Sequence, residues 1–347
     1  MPSLATPLRG VRESLPWGWA RRLKHFLRRH PVLCLVILAP MVEYLSGSSQ
    51  VSLLVFSPPI FLLILAQNLG FYGSGVLLIR EAKIRWKLRW PSVFLFGAAY
   101  AILEEGLMLK TMFEPNLPMG GALSSYGRYL GVNWEFVGGV VLVHILFSIS
   151  VPILLLDLAL PETRGVSLLS RRQMAWVGVI WTLDFSITSI VVGRYWPGYE
   201  IYLGAVLVIL LLVVVGRNLP RWTHPLPVKE APSNARAAII GAAVFPTQLV
   251  WQDFSVPLLR YAATSVAGLA AMDLLFLFLA RRIFEDGRHR RAQVAFVTAS
   301  SVALMFGGFY ANFPIELNLG YDAVLLLFLL WLWRNYAPAV RPKVMGT

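Results

Sequence analysis

The sequence predicts an all-α fold: a polytopic membrane helix bundle of about ten transmembrane helices with both termini cytoplasmic. Three observations carry that expectation. Of the 347 residues, 57% are hydrophobic and only 14% charged, whereas about a quarter are charged in a soluble domain. Mean hydropathy is +0.65, with long apolar runs such as IYLGAVLVILLLVVVG (201–216) and DAVLLLFLLWLW (322–333). The third observation is that Lys and Arg crowd into alternate connections between the apolar segments.

Taken in order, the apolar segments lie near 31–47, 57–80, 91–112, 133–158, 173–193, 200–217, 236–254, 258–280, 292–311 and 315–334. A basic arm, 1–30, precedes the first. It holds Arg9, Arg12, Arg21, Arg22, Lys24, Arg28 and Arg29, lacks the look of a cleavable signal peptide, and with its Trp residues suits an anionic membrane surface. The next connection, SGSSQ (46–50), has no basic residue, and the one after it has Arg80, Lys83, Arg85, Lys87 and Arg89. Lys110 and Arg128 then stand against Arg164, Arg171 and Arg172, and Arg194 alone against Arg217, Arg221, Lys229 and Arg236. The turn near 255–257 and the NFPIE connection are empty, while Arg281, Arg282, Arg288, Arg290 and Arg291 lie between them. Arg334, Arg341 and Lys343 fall at the far end, so the organisation reads as an arm (1–30), one transmembrane domain (31–335) and a cytoplasmic tail (336–347). The alternation satisfies the positive-inside rule throughout.

The net charge of +13 is therefore a topology signal and excludes nucleic acid as the expected partner. A single cysteine, Cys34, excludes an internal disulfide. There is no Walker, zincin or serine-hydrolase signature. The outer connections are short except 113–132, whose Pro and Gly content excludes a simple helix; it reads as a lid, a re-entrant loop or a surface linker.

Function is sought in the acids that a membrane helix should not keep, because a charge at mid-bilayer costs about 2.5–3.5 kcal/mol on insertion scales. Candidates are Glu43, Glu104, Glu105, His144, Asp184, Asp253, Asp273, Asn312, Glu316 and Asp322. Glu104 falls about 21 Å from the cytoplasmic end of its helix and His144 about 15 Å from the outer end of its own, so both fall in one layer of a core about 30 Å thick. Glu43 falls in that layer too, with Asn312 and Glu316 nearer the outside, as expected of groups lining one polar cavity. Successive residues on an α-helix point about 100° apart, so one of Glu104 and Glu105 is expected in the cavity and the other against a neighbouring helix. Two acids this close resist double ionisation, which suits acid–base work on a water molecule. One histidine and two glutamates could also supply three ligands to a divalent metal, although their spacing is no metal signature. Asp184 and Asp253 are expected to line the bundle interior or pair with polar neighbours, and Arg80 and Glu81 to cap a helix by snorkelling.

EEGLMLK (104–110), followed one segment later by His144, resembles the CAAX-protease and bacteriocin-processing (Abi) family of intramembrane proteases. That family carries Glu-Glu-x-x-x-Arg, then Phe-x-x-x-His, then a further His-x-x-x-Asn/Asp. The resemblance implies that Glu104 or Glu105 is the base on water and that His144 polarises it or stabilises the oxyanion. Leu109 stands at the arginine position, Val140 at the phenylalanine position, and Asn312 and Glu316 are the substitutes offered for the third motif. EYLSGSS, LLIRE, EEGLMLK and YGRYLGVNW also resemble a set of uncharacterised prokaryotic membrane proteins, which implies residence in the prokaryotic cytoplasmic (inner) membrane. The expected partners are the lipid bilayer and a membrane-associated peptide or small-molecule substrate. The same acids and histidine equally fit a transporter or ligand-binding membrane protein, or an inactive scaffold subunit in which they only hold helices together.

Overall fold

The structure, a computed structural model, describes residues 18–46, 53–116, 124–193, 195–222, 232–285, 290–311 and 315–335. Its helices are α1 (Gly18–Arg29), α2 (Pro31–Ser46), α3 (Leu53–Phe56), α4 (Pro58–Asn68), α5 (Ser74–Arg85), α6 (Trp90–Ala101), α7 (Trp134–Val143) and α8 (Val151–Ala159). They continue with α9 (Arg171–Val191), α10 (Tyr199–Trp222), α11 (Asn234–Leu258), α12 (Ala262–Glu285), α13 (Arg290–Ala311) and α14 (Ile315–Asn335). A two-residue hairpin, β1 (Arg128–Tyr129) with β2 (Val132–Asn133), pairs Arg128 with Asn133. Helix occupies each of the ten apolar segments read from the sequence. Among the described residues, by length and composition alone, five helical stretches can cross a membrane: Pro58–Arg85, Trp134–Ala159, Arg171–Val191, Tyr199–Trp222 and Ala262–Glu285, or six if the bent pair of α1 and α2 is counted as one.

These stretches divide into a centre and a rim. The most apolar window of Trp134–Ala159 is 83% buried inside the protein, against 11% for α9 and α10 and 17% for α12. Leu207, Leu211, Ile187, Ile190 and Leu274 accordingly face outward on the rim, which for an apolar surface of this extent means lipid. Lipid tails are as apolar as Leu, so helices meet in a bilayer through close packing, which favours small residues at the contact. At two contacts the glycine is required by distance. A Cβ on Gly97 of α6 would come 2.9 Å from Ile145 Cα, and one on Gly241 of α11 would run into the Phe296 carbonyl oxygen of α13.

One end of the bundle gathers the basic connections. Arg28 reaches Glu162 at 2.6 Å, Arg89 reaches Glu285 at 3.4 Å, and the Arg217 guanidinium lies 4.8 Å from the Trp86 ring centroid. Arg80 and Glu81 correct the expectation of snorkelling, because both are fully buried. Arg80 donates to the carbonyls of Thr163 (2.7 Å) and Val166 (3.1 Å), while Glu81 accepts from the Leu168 amide at 2.8 Å and pairs with Arg80 and Arg85. The loop after α8 turns back over them and offers backbone groups that replace headgroup and water, so the pair latches a loop.

At the other end, the described part of the 113–132 connection is pinned rather than open. The Arg128 guanidinium donates to the carbonyls of Phe113 (2.9 Å), Glu114 (2.6 Å), Ser124 (3.2 Å) and Gly131 (3.2 Å), and the Asn133 amide donates to Met112 O at 2.9 Å. The Asn133 side chain then accepts from the Phe136 amide at 3.1 Å and caps α7. Residues 117–123 of this connection, the arm before Gly18 and the tail after Asn335 lie outside the described residues.

Candidate functional site

Among the described residues, three of the helical rods carry a wide π-helical turn: Leu69–Gly73 between α4 and α5, Ile102–Met108 after α6, and His144–Ser150 between α7 and α8. In the second, the Leu109 amide reaches back five residues to Glu104 O at 2.7 Å, and in the third the Val151 amide reaches Leu146 O. Such turns are rare and are frequent at functional sites. Here all three contribute to one cluster. Tyr72 from the first donates its hydroxyl hydrogen bond to Glu104 Oε1. Glu104 and Glu105 come from the second, and His144 begins the third.

The imidazole lies between the two carboxylates. His144 Nε2 is 3.3 Å from Glu105 Oε1, and His144 Nδ1 is 3.6 Å from Glu104 Oε2 and 3.0 Å from Ser148 Oγ. The expectation that the two glutamates diverge to different neighbours is thus corrected: both approach one ring, each from a different nitrogen. Two features permit it. The second turn is π-wound rather than α-wound, and an imidazole offers nitrogens on two edges. Glu105 is further held by the Thr111 hydroxyl. Ser148 sits one α-turn spacing beyond His144, so its hydroxyl can donate to Nδ1, leaving the Nε2 proton for Glu105, or accept from Nδ1 in the other tautomer.

Burial sorts the acids. The Glu104 side chain is 2% exposed and the His144 side chain 3%, whereas the Glu105 side chain is 13% exposed. Tyr100 lies against the imidazole, with ring centroids 6.2 Å apart, and Phe71, Tyr72 and Trp181 complete an aromatic wall around Tyr100. Beside the second π-turn a cleft of about 580 Å³ opens between α7, α10 and the hairpin, lined by Ile102, Met112, Phe113, Val137 and Ile201 among others. Met112 in the cleft wall donates its backbone amide to the Glu105 backbone carbonyl at 3.1 Å, while none of Glu104, Glu105 and His144 lines the cleft.

Glu104, Glu105 and His144 each present a ligand atom, all within 4.8 Å of one another, so the three could hold a metal ion. Two carboxylates and an imidazole match the three-ligand count of catalytic zinc sites. Lys110, one position past the arginine position of the resembled motif, does not join them. It is fully buried in a left-handed conformation (φ 65°), donates to Ser189 O at 2.5 Å and lies 3.8 Å from the Trp196 ring centroid. It therefore fastens the end of the second π-turn to α9.

The other sequence candidates separate. Asp184 pairs with Thr188 at 3.2 Å, as expected of a polar neighbour, and its carboxylate fills the space above Gly70 in the first π-turn. Asp253 corrects its expectation: it is exposed on the outer side of α11, where the 3.6-residue period carries it away from the contacts made by Gln252 and Ser255. Asp273 binds Gln248 at 2.9 Å, and Asp322 is buried on α14. The side chains of Glu43 and Glu316, and the whole of Asn312, lie outside the described residues. Sequence reasoning missed Tyr72, Thr111 and Ser148. Of these only Ser148 left a signal, a hydroxyl four residues from a membrane histidine.

Fold and site together define a helical membrane protein with a buried glutamate–histidine centre. The chain belongs to an uncharacterized membrane protein family, whose model matches residues 32–343. No curated protein and no solved structure matches it.

Proposed function

We propose that this protein is an intramembrane hydrolase, divergent from the CAAX-protease kind, that uses Glu105 and His144 to activate water. One observation carries the reading: the 3.3 Å approach of Glu105 Oε1 to His144 Nε2, with Glu104 Oε2 3.6 Å from the other ring nitrogen. Of the two acids Glu105 is the more accessible, so it is the base. It takes a proton from water as the oxygen attacks a peptide carbonyl, and returns that proton to the leaving amine when the tetrahedral intermediate collapses. His144 orients the water and faces the oxyanion. Glu104, held by Tyr72, fixes the ring. A divalent ion on the same three atoms would supply Lewis-acid polarisation of the carbonyl. The largely apolar cleft that Ile102 and Met112 help to line, whose wall includes none of Glu104, Glu105 and His144, suits the aliphatic side chains of a membrane-associated peptide.

Ten spans with both termini cytoplasmic, in a prokaryotic cytoplasmic membrane, is the topology that goes with this reading. The meeting of the basic connections at one end of the bundle supports it. The test is turnover of quenched fluorogenic membrane peptides by protein reconstituted in liposomes. Glu105→Gln is expected to abolish cleavage while the protein still folds. Retained cleavage in both Glu104→Gln and Glu105→Gln sinks the mechanism.

A second reading, a transporter or ligand-binding protein, draws on the near-complete burial of Glu104 and His144, which suits an occluded proton or cation. It predicts pH-dependent uptake with no covalent change in the ligand.

A further inference from the structure

A second cleft, of about 200 Å³, lies where four helices meet on the rim of the bundle. α9 packs on α5, and α10 packs on α6. The cleft runs between them, floored by Gly75 and Ala82 of α5 and by Ala99 and Leu103 of α6, and flanked by Trp181 of α9 and Val213 of α10. Its edges are apolar and outward-facing: Ile180 and Leu183 stand exposed on either side of Trp181, and Leu210 and Val214 do so beside Val213. An apolar mouth of this kind faces acyl chains.

The dimensions match one leaflet. From Gly75 at the deep end to Trp86 at the basic end the wall rises about 16 Å, and half of a hydrocarbon core about 30 Å thick is about 15 Å. The cleft is also narrow. A cavity of about 150 Å³ takes one benzene ring, so this one takes a stretch of a single hydrocarbon chain rather than a fused-ring lipid.

A cation stands at the basic end. Arg217 lies one helical turn beyond Val213 on the same face of α10. Its guanidinium lies 4.8 Å from the ring centroid of Trp86, and Trp86 packs edge-on against Phe96, both of which line the cleft. Arg217 is exposed, and none of the described carboxylates pairs with it. A guanidinium without a carboxylate, at the end of an apolar slot one leaflet long, is complementary to a phosphate joined to an acyl chain.

We propose that the cleft between α9 and α10 is a binding site for one glycerophospholipid of the adjacent leaflet, with an acyl chain against Gly75, Ala82 and Ala99 and the phosphate on Arg217. Tyr100, which lines the deep half of the cleft, is also the ring whose centroid lies 6.2 Å from that of the His144 imidazole. The bound tail therefore borders the wall of the glutamate–histidine cluster. The site holds whether that cluster hydrolyses, transports or only fastens helices together.

The experiment is native mass spectrometry of the delipidated full chain in detergent, titrated with dioleoylphosphatidylglycerol and, in parallel, with dioleoylglycerol, which has the same chains and no phosphate. One phospholipid per chain should bind saturably, and more tightly than dioleoylglycerol. Arg217→Gln should weaken phospholipid binding about fivefold, the weight of one basic residue at a lipid surface, and leave dioleoylglycerol binding as it was. Ala82→Phe, which puts a ring into the cleft, should abolish binding of both. Equal affinity for the two lipids in the wild type overturns the proposal, as does wild-type phospholipid affinity in Arg217→Gln, because the phosphate then has no partner. Lipid that adds without saturating at one per chain is annular lipid only and overturns it too, as does undiminished binding in Ala82→Phe. Should Ala82→Phe not fold, undiminished binding in Val213→Trp overturns the proposal in its place.

Discussion

Replacing Gly97 by alanine should push apart the two helices that set the Glu–His distance. The added Cβ would stand 2.9 Å from Ile145 Cα, a backbone atom that cannot rotate aside, whereas ordinary contact begins at 3.4 Å. The two helices must therefore separate by about 0.5 Å, and overpacking of this kind costs about 1–3 kcal/mol. Ile145 follows His144 in the chain, so the imidazole moves with it. The 3.3 Å approach of Nε2 to Glu105 Oε1 then lengthens beyond hydrogen-bond reach. Thermal unfolding in detergent should show a midpoint lowered by several degrees, and peptide turnover should fall up to about 100-fold, since misplacement of about 1 Å can cost that much. Gly178→Ala on α9 is the control, because nothing lies within 4 Å of its added Cβ and alanine suits a helix interior better than glycine by about 0.5–1 kcal/mol. If Gly97→Ala matches the wild type in both midpoint and turnover, the close approach of α6 to the His144 turn does not set the site, and the reasoning fails.

Tyr72→Phe removes the hydroxyl that donates to buried Glu104 and should destabilise by about 1–3 kcal/mol, read by chemical unfolding. Glu105→Gln should lower peptide turnover by about 100-fold or more while leaving the unfolding midpoint close to that of the wild type. Glu81→Ala strands the buried Arg80 guanidinium and should cost about 3–5 kcal/mol, visible as early protease cleavage in the loop after α8. Gly241→Ala drives a Cβ into the Phe296 carbonyl, a closer collision than the one at Gly97, and should lower the amount of folded protein recovered from membranes more than Gly97→Ala does.

Much of the architecture is legible in the sequence because hydropathy is averaged over long windows. Helix lies where each apolar segment is read, and depth arithmetic alone puts Glu104 and His144 in one layer. The acids stand out because ionisable residues are expensive in apolar surroundings. What stays hidden is local. A π-turn inserts its extra residue into a helix that is apolar on every face, so no change of period betrays it, and the convergence of Glu104 with Glu105 leaves no trace in the pattern. Tyr72 looks like an ordinary packing residue in an apolar run, and only the four-residue spacing from His144 marks Ser148. Glu135 follows Trp134 in the first turn of α7, where an acid normally complements the helix dipole, so its burial leaves no mark. Asp253 misleads for the opposite reason: an acid in a hydrophobic stretch is expected to face inward, and its position on α11 turns it outward.

The wide turns also bear on how such a site arises and disappears. A π-turn holds one residue more than the α-helix it interrupts, so deletion of a single codon within 102–108 would restore an unbroken α-helix. The carboxylates would swing by about 100° relative to the imidazole, yet the segment would remain apolar and long enough for its place in the bundle. Site and fold are therefore separable by one in-frame deletion: it would disperse the glutamate–histidine cluster while keeping the membrane scaffold nearly intact.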